Sequence, residues 1–129
     1  MPLKSLDHVN IRTANLDAMI RWYEDILGMP AGPRPDFPFP GAWLYVGDLP
    51  AVHLVGVGTP PPGAAALQLE HFAFGASGFD AFRAHLDARD IAYTIDPVPG
   101  YPIVQINLHD CDGNHIHVDF DRAEAAHAI

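Results

Sequence analysis

The sequence predicts an α+β fold made of two copies of one βαβββ module that share a core. Three observations point there. The stretch "LDHVNIRTANLDAM" at 6–19 aligns with "LEHFAFGASGFDAF" at 69–82, an offset of 63 residues. The stretch "LYVGDLPAVHLV" at 44–55 aligns with "LHDCDGNHIHVD" at 108–119, an offset of 64. Each copy also opens and closes on a strand that carries a histidine: His8 and His53 lie 45 residues apart, His71 and His117 46 apart. Self-similarity at a fixed period marks a duplicated structural unit. A unit of this length is too small to bury a core alone, which is why the two copies are expected to share one.

The elements follow in order. Leu6 to Arg12 alternates with strand period, Val9 and Ile11 on one side and His8, Asn10 and Arg12 on the other. Asn15 offers an N-cap, and Leu16, Ile20, Tyr23 and Leu27 recur at helical spacing until Gly28 closes the helix. Three short strands are expected next, at 31–35, 42–46 and 51–57. The second copy repeats the pattern with a strand at 69–74 and a helix at 79–89 striped by Phe79, Phe82 and Leu86. Strands at 92–97, 103–108 and 115–120 complete it. The turns "VGDLP" and "HDCDGN" hold the Gly, Asp, Asn and Pro that hairpin connections need. The Pro-rich stretch "GVGTPPPGAAA" has no periodic apolar face and reads as a linker. The module limits are set at 4–57 and 67–122, with 58–66 as the linker between them.

Composition bounds the function. Hydrophobic residues make up 49% of the 129 and charged residues 18%, the balance of a chain that folds. A net charge of −9 without a basic stripe argues against nucleic acid or an anionic membrane as the main partner. No stretch approaches the ~20 apolar residues of a membrane span. The N-terminus "MPLKSLDHV" lacks an apolar targeting core. The single cysteine, Cys111, permits no internal disulfide, which fits a reducing cytoplasm.

Strand parity carries the chemistry. In "GNHIHVDF", His115, His117 and Asp119 share one face and Ile116, Val118 and Phe120 the other. If Val9, Ile11, Val52, Leu54, Phe72, Phe74, Ile116 and Val118 pack under the helices, then His8, His53, His71 and His117 all face the opposite side. The small residues Ala51, Ala73 and Gly75 beside them leave room for a cavity. A single strand histidine is ordinarily a hydrogen-bonded structural residue. Four at matched positions with one parity are a metal-ligand pattern, because neutral imidazole is the commonest metal ligand. His85, His109, His115 and His127 lack this pairing. His115 is assigned a supporting place beside the ligands and the other three the surface.

These residues resemble the vicinal oxygen chelate superfamily, which includes glyoxalase I, the fosfomycin- and bleomycin-resistance proteins and the extradiol dioxygenases. The carriers are "LDHVNIRTANLDAMIRWYEDILGM", "LEHFAFGASGFDAFRAHLDARDI" and "HDCDGNHIHVDF". The resemblance implies two βαβββ modules forming a cupped mixed sheet, a half-barrel with the helices on its convex side. It implies one divalent metal that holds two adjacent oxygens of a small substrate. It places metal ligands at His8 and His71, and at His53 and His117 where relatives carry Glu. It also implies a homodimer, with sites formed within one chain or shared between two. Cys111 stands where the family's turn has Pro. The ligand set then contains no carboxylate unless Asp119 reaches in, so the full charge of the metal is left to stabilise an anionic substrate. Nitrogen ligands favour Zn, Ni, Fe or Co over Mg, Ca or Mn.

The expected activity is that of a glyoxalase-like lyase or isomerase that stabilises an enediolate-like anion, with His53 or His117 serving in proton transfer. Arg12 is similarly placed to an Arg that glyoxalase I uses for glutathione. The alternatives are an extradiol-type dioxygenase with Fe(II) on His8, His71 and His117, and a metal-free protein that sequesters planar compounds. The loop "RPDFPFPGAW" at 34–43 and its counterpart "PVPGYP" at 97–102 supply Phe39, Trp43 and Tyr101 as candidate walls of a substrate pocket. In the other reading of the first loop, its aromatics are tucked into the core.

Overall fold

The computed structural model describes residues 2, 5–63 and 68–129. It divides into two compact units, 1–61 and 62–129. Of the expected linker, residues 64–66 lie outside the described residues, as do the module limits placed at 4 and 67.

The first unit runs β1 (Val9–Thr13), α1 (Leu16–Leu27), β2 (Ala31–Gly32), β3 (Gly41–Val46) and β4 (Leu49–Gly56). Its sheet has the order β1-β4-β3-β2, with β1 parallel to β4 and the other pairs antiparallel. Helix α1 packs on β3 and β4. It buries Met19, Tyr23 and Ile26, which recur at the helical spacing that builds one apolar face. Opposite them the sheet presents Ala42, Leu44, Val52 and Leu54, all buried. Fully burying side chains of this size contributes about 1.5–3 kcal/mol each, so this face carries much of the unit's stability. The helix stops at Gly28, whose φ of 67° is the left-handed turn that a glycine adopts without strain. Asn15 is the N-cap, as expected, with its carbonyl oxygen accepting from the Met19 N–H at 2.9 Å, and its own backbone N–H donates to Thr13 Oγ1 at 2.9 Å, bracing the turn ahead of the helix.

The second unit repeats the plan. It runs β5 (His71–Gly75), α2 (Phe79–Ala88), β6 (Thr94–Pro97), β7 (Ile103–His109) and β8 (His115–Asp121), in the sheet order β5-β8-β7-β6. Strand β5 is parallel to β8, and the remaining pairs are antiparallel. The apolar face is formed by Val104, Ile106 and Leu108 of β7 and by Ile116, Val118 and Phe120 of β8, all buried. Phe79 and Phe82 of α2 close on Phe120, with ring centroids 5.5 and 5.8 Å away. Two four-stranded mixed sheets, each with its helix, make this the expected α+β fold.

One element is absent from the sequence reading. Residues Arg122–Ala128 form a 3-10 helix, with the Asp121 side chain accepting from the Ala123 N–H at 3.0 Å. Glu124 Oε1 accepts from the Gly78 N–H at 2.8 Å, and His127 Nε2 lies 2.6 Å from Asp80 Oδ1. The segment is thereby pinned to the start of α2. Asp121 followed three residues on by Glu124 is the capping signature that marks such a start. Among the described residues, no helix is long and apolar enough to cross a membrane.

Candidate metal centre

In the first unit, His8 immediately precedes β1 and His53 lies in β4, whose register sets Asn10 and Trp43 on either side of it. The three rings form a column. His8 stacks on His53 with centroids 3.8 Å apart, and Trp43 stacks on His53 at 4.1 Å, both with interplanar angles of 11°. His53 is buried, and that burial, followed by the proximity of His8, holds its pKa below the usual imidazole value. Asp7 Oδ2 lies 2.7 Å from His8 Nδ1, which leaves Nε2 as the ring nitrogen on the far side from that carboxylate. His53 Nε2 lies 3.1 Å from the Pro50 carbonyl oxygen, so Nδ1 is the ring nitrogen that could serve a cation.

In the second unit, strand register builds a polar grid. Residues His71, His115 and His109 form one row across β5, β8 and β7. Ala73, His117 and Asn107 form the next, and Gly75, Asp119 and Gln105 the third. His71 and His117 stack at 4.0 Å with an angle of 8°. One ring nitrogen from each of His71, His115 and His117 lies within 4.8 Å of the others, close enough for a shared cation after small ring movements. His115 therefore stands nearer the candidate ligands than the duplication suggested, because parallel pairing of β5 with β8 puts it directly beside His71.

Burial sharpens the assignment. His117 is only 8% exposed, and its Nδ1 is a buried atom with no hydrogen-bond partner among the described residues. Asp119 Oδ1 is in the same condition. A buried polar atom left unpaired costs about 1–3 kcal/mol, so two together on one face mark a place built to receive a ligand. Burial, then His71 and His115, pushes the His117 pKa down, and burial pushes the Asp119 carboxyl up. A neutral imidazole with an unpaired nitrogen is the form that binds a transition metal. The donor set thus fits such an ion.

The other predicted residues are more scattered. Arg12 is exposed on β1, on the face opposite Ile11. Phe39 is exposed, stacked on Phe37 at 5.0 Å, with the Arg34 guanidinium lying 5.1 and 5.3 Å from the two rings. Phe37 and Phe39 of this loop therefore pack on each other and on Arg34, not in the core. Tyr101 is 65% exposed. Trp43 alone of the proposed pocket aromatics touches a candidate ligand. The turn before β8 is built on buried Asp110. Its Oδ1 accepts from the N–H groups of Asp112 and Asn114 at 3.0 and 2.9 Å, and its Oδ2 from Asn114 Nδ2 at 2.8 Å. That turn, with Gly113 at φ 85°, aims His115 and His117.

Residues 5–118 match the family model described as the Glyoxalase/Bleomycin resistance protein/Dioxygenase superfamily. No curated protein is significantly similar to the chain. Among solved structures, a protein assigned to the glyoxalase family from Bacillus anthracis superposes with a TM-score of 0.76 at 22% identity, over 92% of this chain and 96% of that one. A glyoxylase/bleomycin resistance protein/dioxygenase domain from Frankia sp. EAN1pec gives 0.75 at 21%, over 93% of each chain. A lactoylglutathione lyase from Agrobacterium tumefaciens gives 0.67 at 16%, over 95% and 98%. At such identities the likeness is one of fold.

Proposed function

We propose that this chain, which belongs to the Glyoxalase/Bleomycin resistance protein/Dioxygenase superfamily, is a metal-dependent lyase or isomerase of glyoxalase type acting on a small substrate with two adjacent oxygens. The observation that carries this reading is the His71–His117 pair on one sheet face, with the buried His117 Nδ1 unpaired among the described residues. These two rings are the ligands assigned to the second unit. The resemblance adds His8 and His53 from the first. Bound there, Zn, Ni, Fe or Co would supply a Lewis acid that polarises the substrate oxygens and acidifies the neighbouring C–H.

The chain's own residues then have distinct tasks. Asp7 and Glu70 each hold the Nδ1 side of the histidine that follows, which leaves Nε2 as the ligand atom. Histidine at position 117 gives up the carboxylate that relatives carry there. Asp119, two residues on along the same face, returns one: it is partly buried, its Oδ1 has no hydrogen-bond partner among the described residues, and the proposed role for it is to accept a substrate proton. His53 and His117 are the alternative proton carriers if either leaves the metal. Trp43, Phe39 and Tyr101 are assigned to apolar parts of the substrate and Arg12 to an anionic part. The working form is a homodimer.

Metal content of the purified protein, read together with turnover, tests this. Bound zinc, nickel or cobalt with turnover of a hemithioacetal supports the reading. Bound iron with oxygen uptake on a catechol would replace it by a dioxygenase. Absence of any metal at stoichiometric supply would overturn it in favour of sequestration.

A further inference from the structure

Glu70 reaches two histidines at once. One carboxylate oxygen, Oε2, contacts His71 Nδ1, and the other, Oε1, lies 3.0 Å from His115 Nδ1. The far nitrogen of His115 is also engaged, with Nε2 3.0 Å from Asn107 Oδ1. The orientation of the Asn107 amide is set in turn, because its Nδ2 donates to Asp96 Oδ2 at 2.8 Å, and a carboxylate can only accept. Thr94 Oγ1 donates to the same oxygen at 2.8 Å. The result is one hydrogen-bonded chain, Asp96–Asn107–His115–Glu70–His71. It crosses β6, β7 and β8 and ends at the first residue of β5.

This chain gives His115 a role different from that of its neighbours. Both of its ring nitrogens face oxygen acceptors, whereas His117 Nδ1 faces none among the described residues. To bind a cation His115 would have to give up one of its two partners. Among the described residues, the side-chain hydrogen bond of His71 is made at Nδ1, and Nε2 lies on the far side of the ring from Glu70. The first unit shows what the second has added. Asp7 meets His8 in the same way, but the position matching His115 is Ala51 and that matching Asn107 is Trp43. There the ring is held by stacking instead of by a relay.

We infer that Glu70 and His115 are positioning residues of the second unit's metal site. Glu70 keeps the proton on His71 Nδ1 and so presents Nε2 to the cation, while His115, fixed by Asn107, anchors Glu70 and does not bind the cation itself. The consequence for metal binding rests on the function proposed above; the hydrogen-bond pattern does not. Partners of this kind typically govern metal affinity by about 10–100-fold.

Four substitutions in this 129-residue chain test it. In the metal-free protein, nitrogen-15 NMR of the imidazoles reads which His71 nitrogen is protonated. The wild type and Glu70→Gln should both show His71 protonated at Nδ1, because the Gln oxygen still accepts from His71 and its NH2 can donate to His115. Glu70→Leu should lose that preference and raise the zinc dissociation constant about 10–100-fold. His115→Asn, whose amide reproduces the Nδ1 donor, should hold zinc near the wild-type affinity, whereas His115→Leu should weaken it about tenfold. Neither should change the d–d spectrum of the cobalt form. An unchanged His71 tautomer in Glu70→Leu would overturn the inference. So would a cobalt spectrum altered by His115→Asn, which would make His115 a ligand. Wild-type protein that binds no zinc would defeat the metal reading alone, since the tautomer measurement still decides the role of Glu70.

Discussion

His71 and His117 lie face to face on neighbouring strands, ring centroids 4.0 Å apart and planes 8° from parallel. Neutral imidazoles tolerate this contact, whereas two imidazoliums at that spacing repel. The burial of His117, added to its proximity to His71 and His115, accordingly holds its pKa below the ordinary value, as burial and His8 do for His53. A histidine whose folded pKa is lowered binds fewer protons folded than unfolded, so its contribution is present above the unfolded value and lost as pH falls below it. The metal-free protein should therefore lose melting temperature as pH drops below about 6.5. A His53→Asn/His117→Asn double variant should show a flatter profile over the same range. Identical profiles for the two proteins would contradict the assignment.

Removing a ligand and replacing one should have different outcomes. His71 is exposed and its ring builds no core, so His71→Ala should strip the metal while leaving the far-UV spectrum intact. Metal stoichiometry unchanged in that variant would remove His71 from the ligand set. His117→Glu should fold and bind, but with preference moved towards manganese or magnesium, because carboxylate oxygen suits harder ions. Competition between zinc and manganese measures the shift.

The stack of Trp43 on His53 provides an optical report on the first unit. In a Trp22→Phe background Trp43 is the sole tryptophan of the chain. Nickel, added stoichiometrically, should quench its emission, and adding His53→Ala should abolish most of that quenching. Equal quenching with and without His53 would mean that the ion binds elsewhere.

Asp110 should matter more to stability than any exposed carboxylate. It accepts three hydrogen bonds from within its own turn while buried, and bonds to a charged group contribute about 1.5–3 kcal/mol each when partners are lost. Asp110→Ala is expected to cost about 3 kcal/mol in urea denaturation. Asp110→Asn, which keeps one accepting oxygen, should cost less. A loss under about 0.5 kcal/mol for the alanine variant would show that the turn is held otherwise.

Much of the architecture was legible in the chain itself. The duplication set the order of elements, since each copy repeats the same alternation, helix stripe and turn chemistry. Strand parity alone placed Ile116, Val118 and Phe120 on one face, which the structure buries, and His115, His117 and Asp119 on the other, because successive side chains in a strand must alternate. The pairing of the two strands that start and end each copy belongs to tertiary structure. Parallel register of β5 with β8 brings His115 beside His71 and within reach of Glu70, 45 residues away in sequence. No local period encodes that register. The column of Trp43, His53 and His8, and the closure of the loop aromatics onto Arg34, depend in the same way on which groups reach one another after folding. Covalent order determines the faces of each element; the packing of elements decides which polar atoms find partners and which, like His117 Nδ1, are left without one.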